Sequence, residues 1–188
     1  MISLSQIASD EQLENDLAWP FDFSISEADD DTAWVCLNPP KPFRIIAGEG
    51  AGGSYIAYGD EPVELRTVLY ASSEGQFGKI AQSIAECIAI LLALPYWQDL
   101  LKFSGGGKLD EMRITETHMK TEYREDYPDL DDAKRRIEEK LDLPVLTDPI
   151  ATLHDNIQST ECVMLARDGY NWESLFNTFS PSDNPNWR

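Results

Sequence analysis

The sequence predicts an α+β fold: an antiparallel or mixed sheet built on a meander, flanked by helices, with a helical C-terminal extension. Three patterns carry that prediction. Short β-prone runs separated by glycine and proline turns crowd into residues 43–71. An apolar stripe at helical spacing follows, from Ile80 to Leu94. Charged amphipathic stretches then fill the last third, at Asp129 to Leu141 and again from Asp148 to Ser159.

Element by element, Leu4 to Ala18 reads as a helix with Ile7, Leu13 and Leu17 on one face, and Ser9-x-x-Gln12 is placed to cap a restart. Trp19-Pro20 ends it. Glu27 to Asp31 reads as a solvated acidic loop, and Thr32 to Leu37 as a short strand. The prolines of Asn38 to Pro42 cannot sit inside a sheet. Phe43–Ala47 and Ser54–Tyr58 are strands joined by a glycine-rich turn, and Val63 to Ala71 is a third. Ser73-x-x-Gln76 has capping-box spacing and is expected to open the long helix that runs to Leu94. Pro95 starts a second short helix, which Gly105-Gly106-Gly107 ends. Leu109 to Tyr123 alternates poorly and reads as a strand or an irregular segment. Cys162 to Ala166 is a short strand candidate. Residues 1–179 are expected to form one domain, and the Ser-, Asn- and Pro-rich residues 180–188 a flexible tail.

The chain has 188 residues, with 34 acidic and 15 basic side chains and a formal net charge of -19. Such a charge steers a protein toward basic partners and away from nucleic acid and anionic membranes. Three cysteines, far apart among apolar neighbours, point to reduced thiols packed in a core. The N-terminal residues lack a basic region and a long apolar run, so a cytoplasmic protein is expected. Ile80 to Leu94 is too short and too polar to span a bilayer.

The motifs that could carry chemistry are weak. Gly48 to Gly53 matches the G-x-G-x-x-G pattern, but the dinucleotide fingerprint needs a helix to begin there, and Ser54 to Tyr58 prefers a strand. Glycines that allow positive φ in a tight or bulged hairpin turn are the reading that the following strand favours. Glu74 to Lys79 lacks the spacing of a phosphate loop. No nucleophile elbow surrounds Ser72 and Ser73, and His118 and His154 fit no triad or metal pattern. Binding without catalysis, cofactor or metal is therefore expected. Tyr55 and Tyr58 on the meander, with Trp97 behind it, are candidates for an aromatic surface beside acidic residues, suited to arginines and lysines.

The order from Ile45 to Phe103 resembles the core of the SMI1/KNR4 (SUKH) superfamily. A strand, the turn Gly50-Ala51-Gly52-Gly53-Ser54-Tyr55, a second strand, an acid-proline turn and a third strand lead into a helix with a long apolar stripe. The resemblance covers about a third of the chain. It implies a SUKH-like α+β fold and, as in the bacterial members, an immunity protein that binds and neutralises a toxin, often a nuclease. A basic toxin domain suits the charge, and no catalytic residues carry over. The candidate binding residues are Asp29, Asp30, Asp31, Gly50, Gly52, Gly53, Tyr55, Tyr58, Glu74, Gln76, Trp97 and Asp99. A regulatory or scaffold domain, and an enzyme or nucleotide binder using the Gly48–Gly53 turn, are the alternative readings.

Overall fold

The structure is a computed structural model that describes residues 2–187. It is α+β. Two helices, α1 (Leu4–Ala8) and α2 (Glu11–Ala18), precede the strands β1 (Leu37–Asn38), β2 (Phe43–Gly48), β3 (Ser54–Tyr58), β4 (Thr67–Ala71) and β5 (Gln76–Ala81). Five helices follow: α3 (Ile84–Ala93), α4 (Trp97–Lys102), α5 (Leu109–Asp126), α6 (Leu130–Lys140) and α7 (Pro149–Ile157). The chain closes with β6 (Val163–Met164), β7 (Glu173–Ser174) and 3-10 turns at Pro181–Asp183 and Pro185–Trp187.

The main sheet has the order β2-β3-β4-β5-β7, antiparallel except for the parallel β5–β7 edge. β1 and β6 form a separate antiparallel pair. Strand alternation divides the core. Tyr55, Ala57, Val68 and Tyr70 face the helical layer with Ile84, Ile88, Leu91 and Trp97. Ile56, Tyr58, Leu69 and Phe77 face a smaller cluster that includes Leu37 and Met164.

Several expected boundaries move, each for a physical reason. The N-terminal helix is two helices, because Asp10, and not Ser9, caps α2 by accepting from Leu13 N at 3.1 Å. Val63–Leu65 is a 3-10 turn, so β4 starts at Thr67. Of the strand expected over Thr32 to Leu37, only Leu37 belongs to a strand, the two-residue β1 that runs on to Asn38, and Cys36 is exposed where a packed thiol was expected.

The larger correction concerns Ser73-x-x-Gln76, which caps no helix. Ser72 and Gln76 instead close a hairpin: Ser72 N donates to Gln76 O, Gln76 N donates to Ser72 Oγ, and Gly75 sits at φ +86°. Gln76–Ala81 then pairs with β4. The true cap lies ten residues on. Ser83 Oγ accepts from Glu86 N, and Glu86 Oε1 accepts from Gln82 N. The segment from Leu109 is an 18-residue helix burying Met112, Thr115 and Met119. At the C-terminus, Trp187 packs 4.8 Å from Phe103, stacks on His118 at 5.0 Å, and donates from Nε1 to Glu122. No helix among the described residues is long and apolar enough to cross a membrane.

Candidate functional site

A cleft of about 390 Å³ opens where the β2–β3 turn, the β4–β5 turn, α4 and the segment after β7 meet. It brings together Glu74, Gln76, Trp97 and Asp99 from the expected set, with Glu49 and Ala51 of the glycine turn at one wall.

Its floor is a hydrogen-bonded network. Glu49 directly follows β2 and is buried. Its carboxylate accepts from Ala51 N at 2.8 Å, Gly53 N at 2.8 Å and Tyr70 Oη at 2.9 Å. Tyr70 Oη in turn accepts from Gln98 Nε2 at 3.0 Å. The Trp97 ring meets the Tyr70 ring edge-on at 4.8 Å and backs the wall. Burial first, then the negative charge of Glu49, pushes the Tyr70 hydroxyl's pKa up, so it stays a proton donor to Glu49. Burial likewise raises the pKa of Asp99, a shift that Lys102 opposes.

A further carboxylate, outside the cleft lining, lies near enough to Glu49 to feel its charge. Asp22 has φ +53°, the left-handed region a non-glycine residue seldom adopts. Its pKa is raised by burial, and then by the charges of Glu49 and Glu27. Neither Asp22 nor Asp99 has a side-chain hydrogen bond or ion pair to a protein donor among the described residues.

The remaining candidates are scattered. Gly50 and Gly52 are exposed on the turn, and Gly52 has φ +90°. Gly53 is buried because a Cβ there would overlap Tyr70 Oη and stand 2.6 Å from Glu49 Oε1. A strand follows these glycines, so no helix N-terminus is present to hold a pyrophosphate. Tyr55 is wholly buried and cannot meet a partner directly. Tyr58 points to the opposite sheet face and donates to Pro39 O. Trp97 is a buried wall and not a contact residue. Asp29, Asp30 and Asp31 lie outside the cleft in an exposed loop, where Asp29 Oδ1 accepts from Asp31 N. Neither histidine lines the cleft, and among the described residues no group of His, Cys, Asp and Glu could hold a metal ion.

Tyr55 Oη is a buried hydroxyl without a hydrogen-bond partner among the described residues. Tyr55→Phe removes that unmet polar group while keeping the ring contacts to Phe23 and Tyr70. The variant is expected to unfold about 1 kcal/mol later in urea. A loss of stability would show that the hydroxyl has a partner after all.

Charge is unevenly placed. Residues 1–40 hold nine carboxylates and no lysine or arginine. Two of the nine, Asp10 and Asp16, pair with Lys140 and Arg136, while the other seven make no ion pair to lysine or arginine among the described residues. By contrast, all seven cations of residues 109–140 are ion-paired. The acidic segment meets the end of β2, one residue before Glu49, because Ser24 and Gly48 exchange backbone hydrogen bonds, which brings Glu27 against Gly48.

No family model, curated protein or solved structure matches the chain.

Proposed function

We infer that this protein is an immunity protein, a binding module that neutralises a basic toxin domain by covering it with the acidic N-terminal face and the adjoining cleft. The single observation behind this reading is the segregation of charge. Seven carboxylates that make no ion pair to lysine or arginine among the described residues are concentrated in one 40-residue stretch, and its fold sets Glu27 against the end of β2, next to the buried Glu49 of the cleft floor. An acidic layer of that kind speeds encounter with a basic surface and rejects acidic competitors. The resemblance of Ile45 to Phe103 to the SMI1/KNR4 core supplies the toxin as the partner class. A nuclease, whose substrate groove is basic, is the target whose charge fits best.

The test is co-expression with a toxin domain encoded beside this chain's gene. Growth rescue and co-purification are expected, and the absence of both ends the immunity reading. A companion experiment tests the electrostatic part. Asp29, Asp30 and Asp31, all replaced by Asn, should slow association about tenfold at low ionic strength. The difference should shrink toward nothing at about 1 M salt, where the screening length is about 3 Å. Equal association rates at low salt would remove that loop from the interface.

A further inference from the structure

A second surface on the acidic side is built from aromatic rings. Trp19, which follows α2, is 65% exposed. A chain of rings supports this exposed indole. Trp19 lies 4.8 Å from Tyr127 between centroids, and Tyr127 stacks on Tyr123 at 4.3 Å. Tyr123 is anchored twice, by an edge contact to Tyr96 at 5.9 Å and by its hydroxyl, which donates to Pro20 O at 2.6 Å. The outer ring is thus fixed by inner ones, and little freedom remains to be lost on binding.

Trp19 and Tyr127, the outer two rings, form one wall of a groove of about 380 Å³ between the end of α2 and the α5–α6 junction. Asp126 and Asp129 stand exposed on its rim. The one cation among its lining residues, Arg136, is engaged: its Nε and one terminal nitrogen donate to the two oxygens of Asp16 at 2.8 and 2.7 Å. An open aromatic face, two carboxylates beside the Arg136-paired Asp16, and no free cation among the lining residues make a receptor for positive charge.

The geometry points to this groove as the seat of an arginine side chain from an extended basic segment of a partner protein. The guanidinium lies on the Trp19 indole and donates to Asp126 and Asp129. Arginine fits better than lysine because its planar head stacks on a ring while its edge nitrogens reach carboxylates. Tryptophan is the strongest of the aromatic cation receptors. The proposal rests on the reading of a basic partner given above, and it adds an anchor residue to what was so far only complementary charge.

The probe is a hexa-arginine peptide titrated into the full chain at low salt, followed by the indole N–H signals. The chain has five tryptophans, so the Trp19 signal is assigned by its loss in Trp19→Phe. The Trp19 signal is expected to move, and Trp19→Ala to weaken binding about tenfold. Asp126→Asn combined with Asp129→Asn leaves every ring in place and should weaken binding about threefold. Hexa-lysine should bind with little dependence on Trp19, and hexa-proline should leave its signal unmoved. Unchanged affinity in Trp19→Ala overturns the proposal. So does a hexa-lysine or hexa-proline titration that depends on Trp19 as strongly as hexa-arginine does. The two readings fail separately. A chain that rescues growth while Trp19 ignores hexa-arginine has lost the groove alone. One that seats hexa-arginine on Trp19 but protects against no toxin has lost the immunity function alone.

Discussion

Gly53→Ala is expected to cost about 3 kcal/mol, the upper end of what overpacking a well-filled site costs. For a chain of this size that corresponds to a melting temperature about 6–12 °C lower. The backbone at Gly53 is not in the left-handed region, so strain in φ is not the cause. Proximity is. The new methyl would overlap Tyr70 Oη and approach Glu49 Oε1 to 2.6 Å, and both atoms belong to the cleft-floor network. Relief requires Tyr70 to swing away, but its ring is wedged between Tyr55 at 5.2 Å and Trp97 at 4.8 Å. Glu49→Gln offers a check by a different route. The amide keeps the shape but presents an N–H where the carboxylate accepts from Ala51 N or Gly53 N, so one backbone donor loses its partner. That loss is expected to cost about 2 kcal/mol. Urea unfolding of both variants reads the effect. A Gly53→Ala protein as stable as its parent would mean that the turn shifts freely and that the cleft floor is not fixed by this network.

The same network shows where reading the sequence stops. The glycine turn was visible in the residues, but its glycines were read for their backbone freedom. Gly53 matters because Tyr70 passes over it, and that follows from the β3–β4 register that sets Tyr55 opposite Tyr70. Glu49 sat inside the motif unread, since a carboxylate folding back onto two amides of its own turn leaves no periodic signature. Asp22 was equally silent: nothing in the sequence announces a left-handed aspartate. Capping was legible in kind but not in place. Ser73-x-x-Gln76 and Ser83-x-x-Glu86 have the same spacing, and only the pairing of Gln76–Ala81 with β4 decides between them. Sheet pairing is a long-range choice that overrides local helix signals. α5 carried a readable pattern in Met112, Thr115, Met119 and Tyr123, but with a threonine in the stripe and charges at most other positions the apolar signal was thin. The acidic asymmetry needed no structure, since residues 1–40 lack lysine and arginine by inspection. What the fold adds is where those acids lie relative to the cleft and which of them are neutralised.

Asp16→Asn should lower the melting temperature by about 5 °C near neutral pH, a fraction of the loss seen when a fully buried ion pair is broken. Asp16 sits on α2 with its side chain only 7% exposed, and Arg136 of α6 reaches it with two hydrogen bonds. The hydrogen bonds from Arg136 hold the Asp16 carboxyl below its ordinary pKa, against the opposing effect of burial. The sign of the pH effect follows. The unfolded chain takes up this proton first, so the pair contributes stability above the ordinary carboxylate pKa of about 3.9 and loses it as pH falls through the lower folded value. The gap between parent and variant should therefore be widest above about pH 5 and narrow steadily on acidification. A gap that is constant with pH would mean that the pair contributes by shape and not by charge. The variant also bears on the aromatic groove, because Arg136 lines it. Released from Asp16, the guanidinium is free to turn toward Trp19, Asp126 and Asp129 and occupy the seat proposed for the partner's arginine. Asp16→Asn should then weaken hexa-arginine binding by a few-fold, and because Asp16 itself lines the groove, Asp16→Asn combined with Arg136→Gln separates the two causes: recovered binding marks Arg136 as the competitor, and a persisting loss marks the missing carboxylate. If the single variant binds hexa-arginine as well as the parent does, Arg136 is not a competitor for the groove and the Asp16 pair serves the α2–α6 contact alone.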